Sequence, residues 1–175
     1  MTRAAALALA ALAAACAVAP VPERPLPRLS AVPSAFEMSG RIAVRQGDRS
    51  EIARLRWTHK PDSDRWVIAS PLGNELARIE SGPGGATLER AGAGAEQAAS
   101  FAELCERILG VALDPPTLVG WLHGSGPAAS GDWSVSVEES SKAGSIDIAR
   151  RLSARRADVT LRLVVDEYRN LEAER

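Results

Sequence analysis

Apolar and polar positions alternate in short runs along this chain, and the alternation gives way once to a stretch of helical period. Gly40-Arg41-Ile42-Ala43-Val44-Arg45 puts Ile42 and Val44 on one face and Arg41 and Arg45 on the other. Ala53, Leu55 and Trp57 alternate with Arg54 and Arg56 in the same way. Gln46-Gly47-Asp48 lies between these runs and predicts a hairpin. Trp66 to Ala69 and Glu75 to Glu80 predict the next pair, and Ala86 to Arg90 a further strand after Gly82-Pro83-Gly84-Gly85. Then Phe101, Leu104, Cys105, Ile108 and Leu109 fall at helical spacing, behind a Ser100/Glu103 capping box and before a Gly110 stop. Asp114-Pro115-Pro116 opens a second short helix, with body Thr117 to Leu122 and an end at Gly124. Strands resume at Trp133 to Val137, Ile146 to Ile148 and Val159 to Val165. Strands, two helices, then strands that must return to the first sheet predict a mostly β fold, an antiparallel sheet curled around the helices. Ile42, Val44, Leu55, Trp57, Ile68, Leu161 and Leu163 should then point to one apolar interior, with the helices and Trp121 covering it.

One turn breaks the usual pattern of polarity. Ser70-Pro71-Leu72-Gly73 has the residues of a type I β-turn, with Ser first, Pro second and Gly fourth. That places Leu72 at the third corner, where a side chain faces water. A large apolar side chain on a rigid hairpin tip can insert into an apolar phase. The alternative is an ordinary exposed leucine, which is common on protein surfaces.

The N-terminus is expected to be a secretory signal, from Met1-Thr2-Arg3 and the unbroken apolar run Ala4 to Ala15. The run is shorter than the ~20 apolar residues a membrane-spanning helix needs. Cys16 directly follows small residues, as in the lipobox of bacterial lipoproteins, although Ala13 stands where that pattern prefers Leu and Leu12 falls one place early. The alternative is cleavage nearby and a soluble periplasmic product. Residues 1–15 are thus expected to be a signal peptide, and residues 16–35 a lipidated cysteine and tether. Pro20, Pro22, Pro25, Pro27 and Pro33 prevent helix in the tether, which extended at ~3.1 Å per residue reaches roughly 50–60 Å.

Composition narrows the remaining choices. The chain of 175 residues has a formal net charge of −1, which offers nothing to nucleic acid. The chain has 2 cysteines; if Cys16 is acylated, Cys105 has no disulfide partner, and it reads as a buried apolar residue. Aromatic residues make up only 4%, yet there are 4 Trp against 2 Phe and 1 Tyr, a share that suits either plain core or the wall of a ligand cavity. No enzyme chemistry stands out. His123-Gly124-Ser125-Gly126-Pro127 fails the Gly-x-Ser-x-Gly elbow, because His123 and Pro127 occupy the glycine places. Gly82-Pro83-Gly84-Gly85 and Gly92-Ala93-Gly94 lack what a phosphate loop requires and read as turns. No cofactor or metal set is indicated. Arg150, Arg151, Arg155 and Arg156 read as a solvated turn, with contact to anionic lipid as the alternative.

The order and spacing of several segments resemble the LolB family, outer-membrane lipoprotein receptors of Gram-negative bacteria. The matching segments are Phe36 to Val44 with Gly40-Arg41, Trp57, Ser70 to Gly73, Leu118 to Gly124 with Trp121, and Leu161 to Val165. The segment between Val137 and Val159 is short, and Tyr168 stands where relatives often carry Trp. The resemblance implies an incomplete antiparallel β-barrel over residues 36–175, lidded by short helices and enclosing an apolar cavity for acyl chains. It implies that Ile42, Val44, Leu55, Trp57, Ile68, Trp121, Leu161 and Leu163 line that cavity, and that Leu72 is the family's protruding-loop leucine. The implied function is to accept acylated lipoproteins from a LolA-like periplasmic carrier and insert them into the outer membrane. The implied location is the outer membrane, lipid-anchored, with the domain in the periplasm as a monomer. Ala17 after Cys16 fits that location, since it is not the Asp that acts as an inner-membrane retention signal in enteric bacteria. The alternative function is a structural or assembly lipoprotein whose own side chains fill the barrel. An empty apolar cavity separates the first reading from the second.

Overall fold

A computed structural model describes residues 32–125, 129–130 and 132–172. The signal segment, Cys16 and most of the proline-rich tether lie outside the described residues. The first half of the sheet comprises β1 (Phe36–Gln46), β2 (Arg49–Lys60), β3 (Ser63–Ala69), β4 (Glu75–Gly82), β5 (Gly85–Arg90) and β6 (Glu96–Ala98). Helices α1 (Phe101–Leu109) and α2 (Pro115–His123) follow, then β7 (Ala129–Ser130), β8 (Trp133–Ala143), β9 (Ile146–Arg156) and β10 (Val159–Asn170). All belong to one antiparallel sheet in the order β6-β5-β4-β3-β2-β1-β10-β9-β8-β7. The returning strands join the sheet through β10 beside β1, so β1 is central. β6 and β7 stay unpaired with each other, and the result is a mostly β, incomplete barrel.

A glycine on β1 lets the sheet bend. A methyl group at Gly40 would lie 2.1 Å from the main-chain oxygen of Val164, so only glycine fits against β10 there. The register shifts at the same point, where Ser39 faces Glu167 and Gly40 faces Val165, leaving Asp166 as the extra residue of a bulge. Around it Phe36, Met38, Ile42 and Val44 are buried on one face of β1.

The helices form where their caps require. Ser100 Oγ accepts from the Glu103 amide, Glu103 in turn accepts from the Ala99 amide, and Gly110 ends α1 in the left-handed region at φ 70°. Asp114 accepts from the Thr117 amide at 3.0 Å and caps α2, and Pro115 and Pro116 occupy its first turn. Helix α1 lies against β4, β5 and β6, and α2 against β9. Each brings its own aromatic cluster. Trp66 meets Phe101 of α1 and Trp57, edge to face at 5.0 and 5.8 Å, while Trp121 of α2 meets Trp133 at 5.6 Å. All four tryptophans are buried.

The late strands correct two expectations. The segment after Val137 forms a long β8–β9 hairpin, with bulges near Glu139 that the short apolar patterns conceal. Arg150, Arg151, Arg155 and Arg156, expected in a turn, lie within β9. Arg150 and Arg151 pair with Glu139 of β8, and the Arg156 guanidinium sits 5.3 Å from the centre of the Trp133 ring.

Trp121 is 1% exposed and packed against Trp133 in the interior. Trp121→Ala should therefore cost about 3–5 kcal/mol, the range for truncating a core aromatic. Chemical denaturation measures this, and a near-neutral change would instead mark Trp121 as the wall of an empty cavity.

Candidate functional site

The two ends of the barrel differ in chemistry. Because neighbouring strands are antiparallel, the turns at Gly47-Asp48, at Ser70 to Asn74 and at Ala157-Asp158 share one end. Phe36, where the chain enters the sheet, lies at the other.

The turn end exposes large apolar side chains. The Gly73 amide bonds the Ser70 carbonyl at 2.8 Å, the i to i+3 bond of the expected turn, and Gly73 is left-handed at φ 96°. The Ser70 amide bonds the Asn74 carbonyl, and Ser70 Oγ accepts from the Asn74 amide, so the turn is held without using residue 72. Leu72 is 90% exposed. Two further apolar side chains stand out at the same end, Ile52 at 61% exposure and Leu76 at 48%. Both open onto a recess of about 240 Å³, formed with Ile42, Val44, Ala53, Ile68 and Ala77 of the sheet and Ile108 and Leu109 of α1. Glu51 and Arg90 complete its lining. Periodicity did not single out Ile52 and Leu76, although the signal was present, since each is a large apolar residue out of phase with its strand's buried positions.

The expected inward set is buried throughout, and the recess divides it. Ile42, Val44 and Ile68 line the recess. Trp57, Trp121, Leu161 and Leu163 are buried elsewhere in the core, as is the Leu55 side chain.

The opposite end is polar and closed. Trp57 Nε1 donates to Asp64 at 2.7 Å, and His59 Nδ1 lies 2.8 Å from the same carboxylate oxygen. Phe36 packs against His59, His123 and Tyr168. His123 Nδ1 donates to the Val119 carbonyl at 2.9 Å, which leaves Nε2 to accept from the Tyr168 hydroxyl at 2.8 Å. This bond ties α2 to β10. Tyr168, noted as a departure from relatives, is thus half of a buried polar latch. Burial lowers the His123 pKa, its bond to Val119 works the other way, and nearby His59 lowers it again. Burial, followed by the charge of Glu172, raises the Tyr168 pKa. Burial alone pushes up the Cys105 thiol, which therefore stays protonated and unreactive. Among the described residues no cluster of His, Cys, Asp or Glu could hold a metal, and no helix is long and apolar enough to cross a membrane.

These features define an open, helix-lidded β-barrel with an apolar recess and an apolar turn at one rim. The family model for outer membrane lipoprotein LolB matches residues 34–168. An outer-membrane lipoprotein LolB from Chromobacterium violaceum is 37% identical over 119 residues, covering 67% of this chain and 65% of that protein. A second from Azoarcus sp. is 27% identical over 178 aligned positions, covering 93% and 92%. A third from Pseudomonas putida is 32% identical over 112 residues, covering 64% and 54%. The chain belongs to the LolB family.

The latch carries a pH prediction. Because folding lowers the His123 pKa, the unfolded chain binds this proton more readily. The stabilisation is complete above the ordinary histidine value of about 6.5 and is lost as pH falls below it. The melting temperature of the wild type should drop over that interval. His123→Gln, which can still donate to Val119 and accept from Tyr168, should flatten the drop. An identical slope in the variant would assign the acid sensitivity to other groups.

Proposed function

We propose that this protein accepts acylated lipoproteins from a LolA-like periplasmic carrier and inserts them into the outer membrane. The observation that carries the reading is the exposed Leu72 standing beside an apolar recess on a barrel of this family. Each methylene of an acyl chain is worth ~0.8 kcal/mol on burial, so an acylated protein cannot cross water uncovered. The recess offers cover for the chains, Ile52 and Leu76 stand exposed at its mouth, and Leu72 is exposed on the turn at the same end. Transfer then runs downhill from carrier to receptor to bilayer, with no covalent bond made or broken. At about 240 Å³ the recess is smaller than the ~300–1,000 Å³ of typical ligand pockets. It therefore serves as a foothold that widens on loading.

In this reading Cys16 is acylated and anchors the protein in the membrane that receives the cargo. Phe36 enters the barrel at the end away from Leu72. A β1 strand of 11 residues is about 36 Å long, and the proline-rich segment reaches roughly 50–60 Å when extended. That length lets the Leu72 turn face the bilayer holding the anchor. A second reading, a structural or assembly lipoprotein with a self-filled barrel, draws support from the complete burial of Trp57, Trp121 and Leu161.

A two-step assay separates them, following carrier-to-receptor transfer in solution and then receptor-to-liposome transfer. Leu72→Glu should keep the fold and the first step, because the turn bonds do not involve its side chain. It should abolish the second step, since a charged tip resists leaving water. Leu72→Ile should support both. Loss of the first step alone, or of neither, would contradict the role given to Leu72, and a wild type that takes no cargo would favour the self-filled barrel.

A further inference from the structure

The outer face of the sheet carries a second feature beside the Leu72 turn. A cleft of about 720 Å³ is lined by Arg41, Arg54 and Arg56, with Val67 and Ala69 of β3 and Gly73 of the turn itself. Three carboxylates also border it, and each has its own partner. Asp166 pairs with Arg41 at 3.1 Å, Glu75 with Arg78 at 2.9 Å, and Glu167 accepts from the Ser39 hydroxyl at 3.3 Å. Arg54 and Arg56 are exposed and have no ion-pair partner among the described residues.

Their cross-strand neighbours do not help them. Arg54 faces Arg41 on β1 and Ala69 on β3, and Arg56 faces Ser39 and Val67. Like charges directly opposite on a sheet are destabilising, so the Arg41/Arg54 pair carries a cost that Asp166, bound to Arg41, offsets only in part. An anion bound between the arginines would offset it. Guanidinium groups suit phosphate in particular, since they present paired donors in a fixed plane.

Position selects the source of the phosphate. Arg54 is level with Ala69, three residues from Leu72, so it stands about 10 Å behind the tip. The headgroup layer on each side of a bilayer is roughly 5–7 Å deep. With Leu72 at the hydrocarbon boundary, the long Arg54 side chain reaches that layer, and Arg56, about 7 Å further back, adds its charge from outside the layer within a Debye length. We propose that Arg54 binds phospholipid phosphate at the membrane surface, with Arg56 adding longer-range attraction, and so holds the barrel with its Leu72 turn facing the bilayer. This rests on the reading that the Leu72 turn enters the membrane.

The test uses the full acylated protein in liposomes, with an environment-sensitive fluorophore on Asn74→Cys. Asn74 is exposed on the same turn, and the Cys105 thiol is buried. In the parent, anionic phosphatidylglycerol should draw the probe further out of water than phosphatidylcholine alone, and added salt should reverse the gain. Arg54→Gln/Arg56→Gln should weaken partitioning of the turn into the anionic bilayer by roughly 5- to 10-fold, about fivefold from Arg54 and less from the more distant Arg56. Arg54→Lys/Arg56→Lys should recover most of it. Lys60→Gln/Lys142→Gln removes the same charge at the ends of β2 and β8 away from the Leu72 turn, and should leave the signal unchanged. Equal lipid dependence in the Gln double variant and the parent would overturn the proposal. Slower uptake from the carrier with an unchanged probe signal would also overturn it, by assigning the cleft to a protein partner. A probe that stays in water in every lipid would reject the Leu72 reading itself, and the proposal with it.

Discussion

β1 pairs along its whole length with β2 on one side and β10 on the other, and at Gly40 the chain passes so close to Val164 that no side chain fits. That contact joins the two halves of the sheet, and the bulge beside it lets them curl towards each other. Curling sends the inner side chains of β1, β2, β3, β9 and β10 to one core, while β6 and β7 remain apart. An unclosed barrel would leave that core wet. The helices supply the cover, each through a tryptophan cluster of its own.

The cover is uneven between the two ends. At the Phe36 end a polar latch of His123 and Tyr168 secures α2, and Asp64 satisfies the indole of Trp57. At the Leu72 end α1 is held by surface ion pairs instead, Glu96 bridging Arg90 and Arg107, and the recess stays open beside them. Ile52, Leu72 and Leu76 stay exposed there, although burying each would stabilise the fold by roughly 1.5–3 kcal/mol. Apolar side chains left in water at one rim, next to a recess, suit a protein that gains by meeting another apolar phase.

Much of this was legible in the residues. Strict alternation located β1 to β5 and β10, caps and glycines bounded both helices, and proline with glycine marked the Leu72 turn. The short strands β6 and β7 carry too few residues to show a period. β8 and β9 were read short because bulges near Glu139 and a run of arginines break the alternation. The recess was less legible than the core. Ile42 and Trp57 follow the same pattern on adjacent strands, yet the first borders empty space and the second is packed against Phe36 and Trp66. Alternation reports which face a residue takes, whereas the space beside it depends on how α1 settles on the sheet.

The central claim is that the recess holds acyl chains of the cargo. Photo-crosslinking tests it directly, using neighbouring residues of one strand. A photoreactive amino acid at Ile68, which lines the recess, should label the acyl moiety of a lipoprotein delivered by the carrier. The same group at Val67, one residue away on the outer face, should not. Equal labelling from the two positions, or labelling from Val67 alone, would contradict the account.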